Sequence, residues 1–563
     1  MASWKECACL TLALLAACGS EPGVDQRSVV LITLDTFRCD ALASYGGTRG
    51  VAPNLDALAA ESERFTGART VAPLTLPAHS SMFTGLFPPR HGVRGNGPAM
   101  LAPEADTLAE RAARAGFQTA GFIGGLTLDR AYGAAQGFET WTQPEESESR
   151  LLGQISDRPA EQVVSDAQAW LARRDRARPF FLWVHLFDAH APYAAPPAFV
   201  ERAQGHPYFG EVARLDAAVG ALLASLRGDG TLEQVLVCVV GDHGEALGEH
   251  GEDTHGQHLW DSTLRVPFFV RHRGGERAGT VRGGIASVVD VAPTLLDAMG
   301  LELPRDIDGL SLLDSGPPAE RGAYFETLSG WARFHWSPMC GWIDARTKYV
   351  HSSAPRLNAL GPDGVEGAEI SDPARVDAAR AAIRRVLSAP RLETRTAASG
   401  PRRAVAELGY GDAGDFEPEY PDPLASQGLP SPDERIDEYR VFVAAQTLNQ
   451  TGRHAEAVSK LEPLIAGNPD NLHALDELAL ALVELHEWTR AIAVLKERAL
   501  RPPDRLSTHQ RFVQCYTALG DAPNARLHAL RALELLIESH ARRGEREQAE
   551  RYRAIYEAER AKG

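Results

Sequence analysis

Val29-Val30-Leu31-Ile32-Thr33-Leu34 is a continuous apolar, β-branched run. A run without a polar face predicts a strand buried on both sides, as in a parallel sheet. The segments after it alternate in period. Ala52–Arg64 is amphipathic and predicts a helix, as does Ala105–Arg114, which is followed by a strand at Thr119–Ile123. Ala160–Arg173 reads as a helix, Phe180–His185 as a strand, Phe209–Leu226 as a helix and Val235–Val240 as a strand, with a further strand at Val266–Val270. Strands alternating with helices predict an α/β fold with a mostly parallel sheet flanked by helices. From about residue 320 the runs shorten, as in Cys340–Ile343 and Lys348–Val350, and predict a small α+β subdomain. Residues 410–435 are rich in Pro, Gly and Asp and read as a linker.

Beyond the linker the helical pattern acquires a fixed period. Ala457, Ala491 and Ala525 are 34 residues apart, as are Gly452, His486 and Gly520, and Leu485 and Leu519. Small residues recurring at this spacing on paired helices resemble tetratricopeptide repeats. Three repeats are expected at about 433–466, 467–500 and 501–534, with a polar helix to 562 capping the stack. Such a stack offers a concave groove to a peptide or protein partner.

Composition narrows the function. The net charge of −17 gives nucleic acid no global attraction. Only five of the 58 basic residues are lysines, and none lies between Lys5 and Lys348. At the N-terminus, Ala8–Ala17 is apolar but too short to span a bilayer, which needs about 20 residues. It fits a signal-peptide core. Leu15-Ala16-Ala17-Cys18-Gly19-Ser20 resembles a bacterial lipobox, which implies an exported, periplasmic or cell-surface lipoprotein anchored in the membrane through Cys18. The remaining cysteines, Cys39, Cys238, Cys340 and Cys515, form no disulfide framework.

Four segments carry candidate chemistry. Asp35 follows the first strand, Thr75-Leu76-Pro77-Ala78-His79 opens a helix, Phe187-Asp188-Ala189-His190 follows the third strand, and Gly241-Asp242-His243-Gly244 follows the fourth. Carboxylates just past strand ends lie where open α/β sheets bind ligands. Asp35, Asp242, His243 and a Thr75 oxygen make a four-ligand set for one divalent cation. Zinc or manganese suits it better than calcium, which prefers more oxygens. Asp188 is the candidate for a second metal. Thr75 at a helix N-terminus would face a bound anion, and a metal-held hydroxyl is a nucleophile at neutral pH.

Together these stretches resemble the sulfatase family of the alkaline phosphatase superfamily, over about residues 28–350. The carrying motifs are Leu31–Arg38, Ala52–Ala59, Thr75–Gly85, Pro89–Arg94, Gly241–Glu245 and Asp261–Pro267, in family order. The resemblance implies an alkaline-phosphatase-like sheet, an anionic ester substrate and ester hydrolysis. With the N-terminal and repeat patterns, the expected division is a signal peptide at 1–18, a catalytic domain at 28–390 with a C-terminal subdomain from about 320, a linker at 391–432 and repeats at 433–563. The resemblance also assigns residues. Thr75 stands at the nucleophile position, and His190 and His255 at catalytic positions. Asn96, His79, Arg38 and His258 are substrate-binding candidates.

The departures bear on the reaction. The family nucleophile is Cys or Ser, which is oxidised to formylglycine. Thr75 carries an extra methyl on the carbon that must become the aldehyde, so it cannot form that product. His79 replaces the family arginine, and no lysine is available for sulfate. A Thr nucleophile is similar to that of the superfamily's nucleotide pyrophosphatases and phosphoethanolamine transferases. The expectation is therefore phosphodiester or phosphonate hydrolysis by unmodified Thr75. The alternatives are sulfate-ester hydrolysis, transfer to an acceptor alcohol, and a dead domain beneath a binding scaffold.

Overall fold

The computed structural model describes residues 27–97, 99–144, 157–314, 316–396, 420–425, 428–501, 504–542 and 545–562. The expected signal peptide with Cys18 lies outside the described residues, as does most of the expected linker.

The strands are β1 (Val29–Leu34), β2 (Glu63–Phe65), β3 (Ala99–Met100), β4 (Gln118–Ile123), β5 (Thr140–Thr142), β6 (Phe180–Leu186), β7 (Leu236–Gly241), β8 (Phe268–Arg271) and β9 (Val281–Arg282). All but β3 join one eight-stranded sheet in the order β5-β4-β6-β1-β7-β8-β2-β9. Only the two pairings of β8 are antiparallel. The α/β expectation therefore holds. Every residue of β1, β4, β6 and β7 is buried. Val29 and Leu31 join one hydrophobic layer while Val30, Ile32 and Leu34 join the other, which is the period of two that places a core on each face.

Two predicted elements differ. Ala52–Arg64 is not one helix: the helix ends at Ala60, and Glu63 begins strand β2, which lies between β8 and β9. Pairing to β8 overrides the local periodicity, and the buried Glu63 carboxylate is held by Arg282 at 2.6 Å and His272 at 2.8 Å. The helix expected from Ala105 begins at Leu108, because Thr107 and Glu110 form a reciprocal capping box there.

A second sheet is antiparallel and sequential: β10 (Ala323–Thr327), β11 (Met339–Ile343), β12 (Thr347–His351), β13 (Arg356–Leu360) and β14 (Glu366–Glu369). The first lysine after Lys5, Lys348, is fully buried on β12. Its ammonium lies 2.7 Å from Glu366 and 3.3 Å from Asp261, and Arg69 closes on Asp261 at 2.8 Å. The short strand β15 (Arg395–Thr396) returns to β3.

Seven helices are described from Pro432 to Ala561, each packed on the next. The period of 34 reappears in the backbone. Gly452, His486 and Gly520 all adopt the left-handed conformation, with φ of 75°, 60° and 73°, in the turn between paired helices. Ala457 and Ala491 are buried where those helices meet. The array docks on the rest of the protein through its first helix, Pro432–Gln450. Phe334 and Trp336 stack at 4.6 Å and share a core with Ile436, Tyr439 and Phe442. Arg356 adds an ion pair to Asp433 at 2.6 Å.

Removing the Lys348 charge leaves the nearly buried Glu366 carboxylate without its cation, while Asp261 keeps Arg69; breaking such a buried pair costs about 3–5 kcal/mol. Lys348→Met is expected to lower unfolding stability by that order in a denaturant titration. A variant within about 0.5 kcal/mol of the parent would show that the pair contributes nothing.

Candidate metal centre and active site

The site begins with strand register. β1 and β7 are parallel neighbours with Leu34 opposite Gly241. The next residue on each is Asp35 and Asp242, so two carboxylates emerge side by side at the same sheet edge. On the other side of β1, Thr33 is opposite His185 of β6. His185 therefore reaches the same face, with Nε2 3.3 Å from Asp35 Oδ2. Asp35, Asp242, His185 and His243 are all fully buried.

The helix Thr75–Thr84 caps this edge. Thr75 and His79 are four apart and share a face. The Thr75 hydroxyl lies 3.5 Å from His243 Nε2. His243 donates its Nδ1–H to the Gly244 carbonyl at 3.0 Å, which fixes the tautomer and leaves the Nε2 lone pair aimed inward. Nε2 is 3.6 Å from Asp242 Oδ2.

Two oxygens test the fit of a cation. Asp35 Oδ1 and Asp242 Oδ2 are buried and have no hydrogen-bond partner. Buried charged oxygens are costly unless paired, so a divalent ion fits this donor set. Burial and the neighbouring Asp35 push the Asp242 carboxyl well above its ordinary range, the response of two like charges with no cation between them. Asp35, Asp242 and His243 fall into one ligand-sized cluster, and His79, His185 and Asp242 fall into a second.

The structure reassigns several expected roles. His79 was expected to bind substrate. Its Nδ1–H instead donates to the Thr75 carbonyl at 2.8 Å, and its Nε2 is 3.1 Å from the Thr33 hydroxyl, which accepts from Trp183 Nε1 at 2.9 Å. Burial and His185 push its pKa down to about 3, so it is neutral and cannot replace the family arginine as a cation. It belongs to the shell under Thr75. Arg38 is committed to Asp40, the Glu245 carbonyl and Glu249, at 2.7–2.8 Å. It is structural. His258 faces Asp433 of the helical array at 3.1 Å rather than the site. Asp188 belongs to neither ligand cluster among the described residues. Its Oδ1 accepts from the Ala160 N–H at 3.0 Å, and burial raises its pKa to about 7.

The expected open helix N-terminus is also filled. The Leu76 N–H donates to Asn96 Oδ1 at 2.8 Å, Pro77 has no N–H, and the Ala78 N–H closes on Leu74. Asn96 keeps its Nδ2 buried and without a hydrogen-bond partner. His190 and His255 sit together above the cluster, with ring centroids 5.2 Å apart. Burial and the charge of His255 lower His190 to about 4. Burial also opposes charge on His255, but Glu245, 3.0 Å from its Nδ1, outweighs it and raises the pKa. Tyr193 holds the other Glu245 oxygen at 3.0 Å.

Both histidines line a cleft of about 160 Å³ with Leu74, Arg333 and Gln257. Sequence reasoning missed His185, which lay inside a strand, and read Glu245 only as a loop residue. The run Asp242-His243-Gly244-Glu245 was the available signal for Glu245.

Comparison with known proteins agrees with this architecture. Residues 27–301 match the family model described as Sulfatase. The chain is 26% identical over 352 residues to an ulvan-active sulfatase of Formosa agariphila, covering 54% of this chain and 68% of that one. It is 24% identical over 375 residues to an arylsulfatase of Clostridium perfringens, covering 51% and 78%. In structure it resembles a phosphonate monoester hydrolase of Agrobacterium radiobacter, with a TM-score of 0.53, 21% identity, and coverage of 64% and 95%.

The full chain, loaded with zinc or manganese and dialysed, is expected to retain at least one ion per chain by elemental analysis, and Asp242→Asn to lose it. Bound metal at 100-fold excess over Kd should stabilise the fold by about 2.7 kcal/mol, reversed by chelator. Equal metal content in His185→Ala and the parent would exclude His185 as a ligand.

Proposed function

We propose that this chain, whose residues 27–301 match the sulfatase family model, is a metal-dependent hydrolase of anionic esters with unmodified Thr75 as nucleophile. The observation that carries this reading is the pair of partnerless buried oxygens, Asp35 Oδ1 and Asp242 Oδ2, in the cluster that His243 shares with the Thr75 hydroxyl. A divalent ion held by Asp35, Asp242, His243 and Thr75 Oγ1 would lower the hydroxyl pKa and offset the charge of the ester.

The protein's own groups supply the rest. Asn96 Nδ2 donates to a non-bridging oxygen of the bound ester. Thr75 Oγ1, its proton already lost to solvent, forms the bond to phosphorus as the ester oxygen leaves in line. His255, protonated beside Glu245, gives its proton to that oxygen. The neutral His255 then takes a proton from the water that attacks phosphorus and frees Thr75. His190 stays neutral and shapes the pocket with Phe187, against which it stacks at 4.4 Å.

Phosphodiesters or phosphonate monoesters are favoured as substrates. Thr75 has no route to formylglycine, and Lys348 is buried in another ion pair. A second reading, sulfate-ester hydrolysis, is favoured by the sulfatases among the sequence relatives. The family includes metal-dependent enzymes; zinc or manganese is favoured by a set of two carboxylates, one imidazole and one hydroxyl.

We further propose that the helices beyond residue 432 are tetratricopeptide repeats, supported by the recurring left-handed turn. We propose export and a lipid anchor at Cys18 from the lipobox pattern alone. Among the described residues no helix is long and apolar enough to cross a membrane. Cys18→Ala should move the protein from the membrane to the soluble fraction of the producing cells; unchanged partitioning would remove the anchor.

Turnover of bis-p-nitrophenyl phosphate, p-nitrophenyl phosphate and p-nitrophenyl sulfate by the metal-loaded chain separates the readings. Diester turnover that falls by about 10³-fold or more in Thr75→Ala and survives in Thr75→Ser is the expected outcome. Robust sulfate turnover would replace the phosphorus preference with the second reading. Silence on all three, without bound metal, would leave a scaffold.

A further inference from the structure

The cleft lined by His190 and His255 is not built by the sulfatase-matched residues alone. Tyr439, Val443 and Gln446 also line it, and they lie on the first helix of the helical array, more than 130 residues beyond the end of the family match. Spaced by four and three, they present one face of the helix Pro432–Gln450. The face is fixed against the catalytic loop. The Tyr439 hydroxyl is 3.1 Å from Thr254 Oγ1, next to His255, and its ring lies beneath the Arg333 guanidinium at 5.9 Å. Asp253 pairs with Arg440 at 3.2 Å. Val443 stands beside this anchor with 37% of its surface exposed, unusual for a large aliphatic side chain.

We propose that the helical array forms the specificity wall of the active site. On this proposal Val443 and Gln446 receive the leaving alcohol of the ester, and that alcohol is one ring-sized, largely apolar group. Three features point there. The cleft opens on His190 and His255, so whatever fills it is the group whose oxygen takes the proton. Leu74, Ala191 and Val443 supply an apolar face for the ring, while Gln257, Ser329, Arg333 and Gln446 supply polar edges around it. The volume of about 160 Å³ matches a single ring, since an apolar cavity of roughly 150 Å³ holds benzene. The array therefore acts in substrate selection and is not only a groove for a protein partner. This inference rests on the hydrolase reading above.

The test uses the full metal-loaded chain and two esters of methylphosphonate, p-nitrophenyl and the bicyclic 4-methylumbelliferyl. The ratio of kcat/KM for the bicyclic over the monocyclic ester is compared among the parent, Val443→Ala, Val443→Trp and Gln446→Ala. Enlarging the cleft in Val443→Ala should raise the ratio about fivefold, and Val443→Trp should lower it at least as far. Gln446→Ala should raise KM for both esters with little change in kcat. Ratios equal to the parent's in both Val443 variants overturn the wall. If the parent turns over neither ester, the phosphonate reading fails. The wall is then decided by titrating fluorescent 4-methylumbelliferone itself. Binding weakened about tenfold by Val443→Trp supports it, and equal binding overturns it. Val443 is exposed, so its variants should fold, and circular dichroism checks that they do.

Discussion

Two carboxylates with no counter-charge sit at the end of two adjacent buried strands, and the rest of the site is arranged around them. Parallel pairing of β1 with β7 puts Leu34 opposite Gly241 and so forces Asp35 and Asp242 together. Neither is exposed to water, and each keeps one oxygen without a partner. In a medium of low dielectric such a pair is tolerated only with a cation or a shared proton. The imidazoles of His185, His243 and His79 close in on this pair from three different elements, and the Thr75 helix is laid across the top. The constraint explains why a hydroxyl of ordinary reactivity is placed where it is.

The same constraint sorts the histidines. Five histidine rings gather around the site, and the surroundings of four of them push them apart in behaviour. His79 and His243 lie deep, each tied through Nδ1 to a backbone carbonyl, and both are held neutral by burial. His190 is neutral by burial and by the charge of its neighbour. For His255, burial is outweighed by Glu245 against its ring, and the pKa is raised instead. A division of labour between shell and acid thus arises from one carboxylate placed at one ring.

The helical array bears on this site directly. Its first helix is bound to the loop carrying His255 through Tyr439 and Arg440, and to β13 through Asp433. His258 and Arg356 serve that junction, with Arg356 stacked 3.6 Å over Trp260. A part of the chain that sequence reading treated as a separate partner-binding module is in contact with the catalytic cleft.

The sequence by itself determined the α/β class, the buried character of β1, the positions of Asp35, Thr75, Asp242 and His243, and the period of 34. Each of these is a local signal: an apolar run, a residue directly after a strand, or a repeat spacing. The chemical limit on Thr75 was equally legible, since it depends on one side chain's carbon skeleton. The tertiary structure alone decided what depends on approach between distant segments. His185 looked like one polar residue inside a strand until register placed it opposite Thr33. Glu63 looked helical until β8 paired with it. His79 became a neutral shell residue because burial, not sequence neighbours, sets its charge. Val443 and Gln446 gave no sign of facing the site, because helix periodicity reports which face is apolar and not what that face meets.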